Sequence, residues 1–231
     1  MDPHALLRCW ERGRRRHTLD RALLLYAAAA PDENPDTLAD RSVGERNAAL
    51  LKFRRTLFGD GLASALDCPA CGERLEFSLS AEALLAGAPG GATHVSVDGV
   101  RARMPTTRDL ASVAGEADEA AAAWKLFDRL VEGYAAIEPA RVALLVEQLA
   151  RALDEADPCL DISVDLTCPA CRHAWDAPFD IVTFLWEEID VRARRLLDEV
   201  HVLASAYGWT ESEILRLSDA RRAAYIERAL A

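Results

Sequence analysis

At 231 residues the chain can bury a core as one large domain or two small ones, so it needs no metal merely to fold. Its 51% hydrophobic content, dominated by Ala and Leu with Ile and Val sparse, predicts a mainly α protein with small β elements. A formal net charge of −11 argues against a general nucleic-acid binder, and no apolar run approaches the roughly 20 residues of a membrane span, which reads as a soluble, cytoplasmic protein.

Leu6, Leu7 and Trp10, then Leu19, Leu23, Leu24 and Tyr26, recur at helical spacing over residues 4–30, with Thr18 as the expected cap between them. Arg8, Arg12, Arg14, Arg15, Arg16 and Arg21 form a local basic patch there, diluted by Glu11 and Asp20. It reads either as a solvated helix face or a disordered lead-in, or as a site for an anionic partner. Basic residues before the apolar run Ala22–Ala30 are not expected to make a secretory leader, because this n-region is too long and contains acids. Pro31–Asp40 is expected to be loop. Ser42 and Glu45 have capping-box spacing and predict a helix to about Phe58, stopped by Gly59-Asp60-Gly61.

Cys68-Pro69-Ala70-Cys71 then recurs as Cys168-Pro169-Ala170-Cys171. Each pair is flanked by strand-like residues: Leu75, Phe77 and Leu79 alternate behind the first, and Ile162, Val164 and Leu166 lead into the second. A Cys-x-x-Cys knuckle aims two sulfurs at one point, and two knuckles complete a tetrahedron. Cys68, Cys71, Cys168 and Cys171 are therefore the expected ligands of one structural Zn2+ in a zinc ribbon. Residues 72–167 between the knuckles far exceed the roughly 15–20 of a compact ribbon, so the ribbon is discontinuous. An internal repeat is a second explanation of the paired knuckles. His173 is a candidate extra ligand, though a His beyond a knuckle commonly supports the site without touching the metal.

Between the ribbon halves, Val95–Val97, Asp98-Gly99 and Val100–Met104 predict a β-hairpin, since Asp-Gly suits a type I′ turn. Pro105–Leu110 opens a helix, and two longer helices follow over about Glu116–Glu132 and Pro139–Glu155, with Gly133 closing the first. Phe179–Tyr207 reads as a long helix ended by Gly208. Thr210 and Glu213 cap a short helix to about Leu217, and Asp219–Leu230 forms the last. The expected organisation is N-terminal helices over 1–60, ribbon halves at 61–80 and 158–178, a hairpin-plus-helices insertion at 81–157, and a C-terminal helical segment at 179–231.

No catalytic set is legible. The chain has no Gly-rich phosphate loop, no Gly-x-Ser-x-Gly and no His-Glu-x-x-His, and its five histidines are scattered singly, so neither an enzyme nor a small-molecule substrate is expected. Glu187, Glu188 and Asp190 sit among Arg192, Arg194 and Arg195 as solvated ion pairs. A redox role for the knuckles would need a thioredoxin-like βαβ context, which the strand-like flanks oppose. Cys9 and Cys159 read as core residues. The C-terminal helices could form a helix-turn-helix, but Val191–Ala231 holds seven Arg against six acids, without a basic footprint.

The stretch Glu199–Ala204, Tyr207-Gly208-Trp209-Thr210-Glu211-Ser212-Glu213-Ile214-Leu215 and Arg221–Tyr225 resembles the closing segment of baseplate hub assembly chaperones from contractile phage tails and related injection systems. Met104-Pro105-Thr106-Thr107-Arg108-Asp109-Leu110 is similar to that group's Leu-Pro-Thr-x-x-Asp element, with Met for Leu. The paired knuckles resemble a zinc-containing branch found beside extracellular contractile injection genes; many smaller phage relatives lack them. The resemblance implies a non-enzymatic chaperone or adaptor with baseplate or hub proteins as partners. Trp209 and Tyr225, spaced among Ile214, Leu215 and Leu217, read first as core packing and second as a docking surface; under the resemblance Tyr207, Trp209, Ile214, Leu215 and Tyr225 are the candidate docking residues, since aromatic anchors dominate binding energy. The alternatives are a zinc-ribbon, helix-turn-helix nucleic-acid regulator and a permanent structural baseplate component.

Overall fold

Helix makes up 58% of the chain, and the strands among the described residues form three separate antiparallel hairpins. The computed structural model describes residues 1–87, 91–133 and 139–230; positions 88–90 and 134–138 of the expected insertion lie outside them. Contacts divide the chain into two compact units, residues 1–24 with 183–231, and residues 25–182.

In the first unit, α1 (Pro3–Gly13) starts at Asp2, whose carboxylate accepts from the Ala5 N–H, with Pro3 at a position where no amide is needed. α2 (Thr18–Ala29) begins at Thr18, and the His17 ring nitrogen accepts from Leu19 N–H. The cap thus lies one residue before the expected Thr18. α9 (Ile181–Tyr207) buries Leu185, Trp186, Ile189, Ala193, Leu196 and Leu203, a stripe at helical spacing. Gly13 ends α1 against Trp186, where any Cβ would overlap the indole ring.

After the turn at Gly208, α10 (Glu211–Leu215) carries the expected capping box of Thr210 and Glu213, and α11 (Asp219–Leu230) follows. Their junction is held by Arg222, which is fully buried. Its guanidinium donates to Glu199 (2.7 Å), to Asp219 (2.5 Å) and to the Leu217 carbonyl (2.6 Å). A buried cation is tolerated only when so satisfied.

In the second unit, the expected loop 31–40 contains one helical turn, α3 (Pro35–Leu38), because Asn34 caps it and Pro35 suits its first position. α4 (Val43–Phe58) has the predicted capping box and ends at Gly59, whose φ of +88° favours glycine. Buried Arg46 donates to Thr107 and Asn47, and Asn47 donates onward to the Cys159 carbonyl (2.8 Å). Gly44 has no side chain because the Asp157 carboxylate occupies the space a Cβ would need.

β3 (His94–Val97) and β4 (Val100–Arg103) form the predicted hairpin, with positive φ at both Asp98 (+49°) and Gly99 (+79°) as a type I′ turn demands. α6 (Thr107–Val113), α7 (Glu119–Leu130) and α8 (Pro139–Ala156) follow. One core joins Ala102 and Met104 to Phe127, Leu130 and Val131, and to Val142, Leu145, Leu149 and Leu153 of α8. The 142, 145, 149 and 153 spacing is the apolar stripe of an amphipathic helix. Such burial contributes roughly 1.5–3 kcal/mol per large side chain, so this core does not rest on a metal.

Candidate metal centre

The knuckles close two hairpins. β1 (Gly61–Asp67) pairs with β2 (Arg74–Ser80), and β5 (Ser163–Thr167) with β6 (Ala174–Pro178). Their registers coincide after a shift of one hundred positions: Asp67 faces Arg74 and Leu66 faces Leu75, while Thr167 faces Ala174 and Leu166 faces Trp175. The tips match too. Cys68 N–H donates to the Glu73 carbonyl (2.8 Å) and Gly72 N–H to the Cys68 carbonyl (2.9 Å); Cys168 and Arg172 donate to His173 and Cys168 at 2.9 Å each. A short helix, α5 (Ala81–Ala86), follows β2 and was not expected; Ser80 caps it.

The turn needs positive φ after the second cysteine. Gly72 supplies it at +76°, but Arg172 must adopt +61°. A side chain there costs roughly 1–2 kcal/mol. Arg172→Gly is expected to raise stability by about 0.5–1 kcal/mol, the relief being partly offset by glycine's larger unfolded-state entropy. A urea midpoint equal to or below that of the unchanged protein counts against this account of the tip.

The two tips meet. Cys68 Sγ lies 3.7 Å from Cys171 Sγ, Cys71 Sγ lies 3.6 Å from Cys168 Sγ, and all four sulfurs fall within 4.8 Å of one another. A tetrahedral ion with metal–sulfur bonds of about 2.3 Å puts its ligands about 3.8 Å apart, while a disulfide needs about 2.05 Å. The spacing therefore fits a metal and leaves the thiols free. Cys68 and Cys168 are buried with Leu75, against which Phe77 and Trp175 pack, whereas Cys71 and Cys171 face solvent.

Charge explains what this set could hold. Backbone N–H groups of Cys171 and, against burial, of Ala170 hold the Cys168 thiol down at about 7. The Glu73 N–H favours the Cys71 thiolate, but the surrounding sulfurs outweigh it and push that thiol up to about 12. Four adjacent thiolates cannot share so small a volume without a positive ion between them. With four sulfur ligands the coordination is closed and offers no position for substrate.

The other candidates lie elsewhere. The His173 ring stacks on Trp175 (centroids 5.8 Å apart) and is outside the sulfur cluster; its backbone carbonyl closes the knuckle. Cys9 and Cys159 are buried, and burial raises both thiols, as for core cysteines. Asp190–Arg194 (2.7 Å) and Arg195–Glu199 (3.1 Å) are pairs one helical turn apart, and Arg192 joins Asp219. Tyr207, Trp209 and Tyr225 form an aromatic cluster: the Tyr207 and Trp209 rings stack at 4.8 Å, and Tyr225 meets both edge-on. Ile214 and Leu215 follow the core-packing reading of this segment and not the docking one. Both are buried because the short α10 turns its apolar side inward, so the exposed part of the candidate docking patch narrows to the aromatic cluster.

One buried polar site was not anticipated as such. Asp109, fully buried, accepts from both Nη atoms of Arg103 (2.6 and 2.8 Å), from Arg129 Nε (3.0 Å), and from the amide and hydroxyl of Thr106 (2.9 and 2.7 Å). The Thr106-x-x-Asp109 spacing was its one legible signal, as a capping box. Among the described residues no helix is long and apolar enough to cross a membrane. Comparison of the chain with family models, curated proteins and solved structures gave no match.

Proposed function

We propose that the chain is a non-enzymatic, cytoplasmic assembly chaperone or adaptor for the baseplate or hub of a phage-like contractile injection system, stapled by one structural zinc ion on Cys68, Cys71, Cys168 and Cys171. The observation that carries the structural half is the closure of four sulfurs within 4.8 Å from two matched hairpins. A soft, four-thiolate, closed set is the donor chemistry of structural zinc, and a saturated shell argues for holding a shape over turning over a substrate.

The assembly half rests on the resemblance of Met104–Leu110 and Glu199–Tyr225 to hub assembly chaperones. The residues of those segments do distinct physical work. Pro105 O accepts from Val43 N–H (2.9 Å), Thr106 and Asp109 form the capping box of α6, and Arg222 ties α11 to Glu199 of α9 and to the Leu217 carbonyl in the turn before it. Tyr207, 38% exposed, leads the aromatic cluster that is left at the surface, and partly exposed aromatics are the usual anchors of protein interfaces.

Affinity purification from cells producing the particle tests the reading. It expects recovery of an unassembled baseplate or hub protein, weakened when Tyr207 and Trp209 are both changed to Ala, and absence of the chain from finished particles. Recovery of no such protein overturns the proposal, and presence in finished particles at fixed stoichiometry makes the chain a structural component instead.

A further inference from the structure

The basic N-terminal segment, left open in sequence between a solvated face and an anionic site, forms part of a cleft within the first unit. The cleft has a volume of about 750 Å³ and is lined by Arg14, Arg15, Arg21 and Arg194 against only two carboxylates, Glu187 and Asp190. In a chain of net charge −11 this is a local reversal of sign. We propose that it binds an acidic peptide segment of a protein partner, a reading that stands on this cleft alone and does not depend on the zinc or the baseplate assignment.

The arginines are positioned. Arg21 donates from Nε to the Gly13 carbonyl (3.0 Å) and from Nη2 to the Arg14 carbonyl (3.1 Å), tying down the turn that carries Arg14 and Arg15. Its guanidinium lies over Trp186, 4.7 Å from the ring centroid, and Arg14 lies over Trp10 at 5.4 Å. Trp10 is in turn fixed by donating to Asp190 Oδ1 (2.6 Å), and Asp190 also receives Arg194. Among the described residues, Arg14, Arg15 and Arg21 have no carboxylate at ion-pair distance; Arg21 is taken up by two carbonyls and the Trp186 face, which leaves Arg14 and Arg15 as the cations for a ligand.

The same contacts choose the class of anion. Both indoles are buried and already carry guanidinium groups on their faces, so no aromatic platform remains for stacking a base, as single-stranded nucleic acid would want. The cleft is much larger than one phosphate ion, and Glu187 within it opposes a compact dianion. A peptide spreads single carboxylates about 3.3 Å apart per residue and brings N–H donors for Glu187. Val191, 68% exposed at the margin, offers it an apolar contact.

The test uses the full chain and fluorescein-labelled hexaglutamate, read by anisotropy at about 0.15 M salt, where screening acts over about 8 Å and separates charges in the cleft from those outside it. Binding is expected, and Arg14→Gln with Arg15→Gln is expected to weaken it by about tenfold or more, the scale of losing charge-assisted hydrogen bonds. Arg12→Gln with Arg16→Gln removes the same charge from outside the cleft and is expected to leave affinity within about twofold. No binding, or equal weakening by the two double variants, overturns the site. Competition by inorganic phosphate or an oligothymidylate as effective as that by unlabelled hexaglutamate overturns the assignment to acidic peptide. Circular dichroism of both variants separates loss of binding from loss of fold.

Discussion

Serine in place of Cys168 is expected to remove the bound metal completely, and serine in place of Cys68 to remove the same ion, although the two positions lie on different hairpins. Each sulfur is one corner of a single cluster, with Cys68 beside Cys171 and Cys71 beside Cys168, so neither knuckle holds a site of its own. Elemental analysis of the purified chain is expected to give one zinc per molecule, none in either variant, and one in His173→Ala. Half-loss in each cysteine variant would show two metals and sink the one-site arrangement.

The structural consequence is as informative as the stoichiometry. Structural zinc contributes an apparent ~10–16 kcal/mol to small fingers, which unfold without it. Here the hairpins share only a small core of Cys68, Leu75 and Cys168 flanked by Phe77 and Trp175, whereas the helices bury their own apolar cluster around Phe127 and Leu145. Chelation is therefore expected to raise hydrogen exchange in 61–80 and 163–178 while the α7 and α8 amides stay protected. Global unfolding on chelation would mean that the helical core is weaker than its packing indicates.

The second large effect belongs to Asp109. Its burial favours the neutral acid, but hydrogen bonds from Arg103, Thr106 and Arg129 outweigh that and hold the carboxyl well below the usual carboxylate range. Asp109→Ala removes the acceptor of five hydrogen bonds, among them the Asp109 half of the α6 capping box, while Thr106 remains as the N-cap. Breaking a buried pair from one side costs about 3–5 kcal/mol, and the lower end applies because Arg103 and Arg129 keep side-chain exposures of 35% and 42% and can turn to water. Asp109→Asn keeps a capping oxygen and is expected to lose about half as much.

The pH dependence has a definite sign. A carboxyl whose folded pKa is depressed stabilises fully above its unfolded value, near 3.8, and that stability drains as pH falls below it toward the folded value. The difference in urea midpoint between the unchanged protein and Asp109→Asn is therefore expected to be constant from pH 7 to 5 and to shrink below pH 4. A difference that stays flat down to pH 3 would assign the effect to shape and not to charge.

How much of this was legible depends on distance along the chain. Ser42 with Glu45, Thr210 with Glu213 and Asp98 with Gly99 act on backbone within three or four residues, so the helix starts and the hairpin turn were readable in place. The single turn of α3 and the His17 cap went unread for a different reason: they are short enough that one side chain decides them. Ile214 and Leu215 looked like docking residues because apolar side chains on a short helix read alike whether they face a partner or their own core.

By itself the sequence determined the mainly helical composition, the caps and turns, and the four sulfurs, since each knuckle is a local turn and a tetrahedral ion requires four donors. Only the tertiary structure decided that the two tips come within 4.8 Å across residues 72–167, that Asp109 meets Arg129, and that Arg21 lies over Trp186 to build a positive cleft. The reason is that capping energy is settled inside one turn of chain, whereas a contact between distant residues exists only after packing has met the entropy of closing the loop between them.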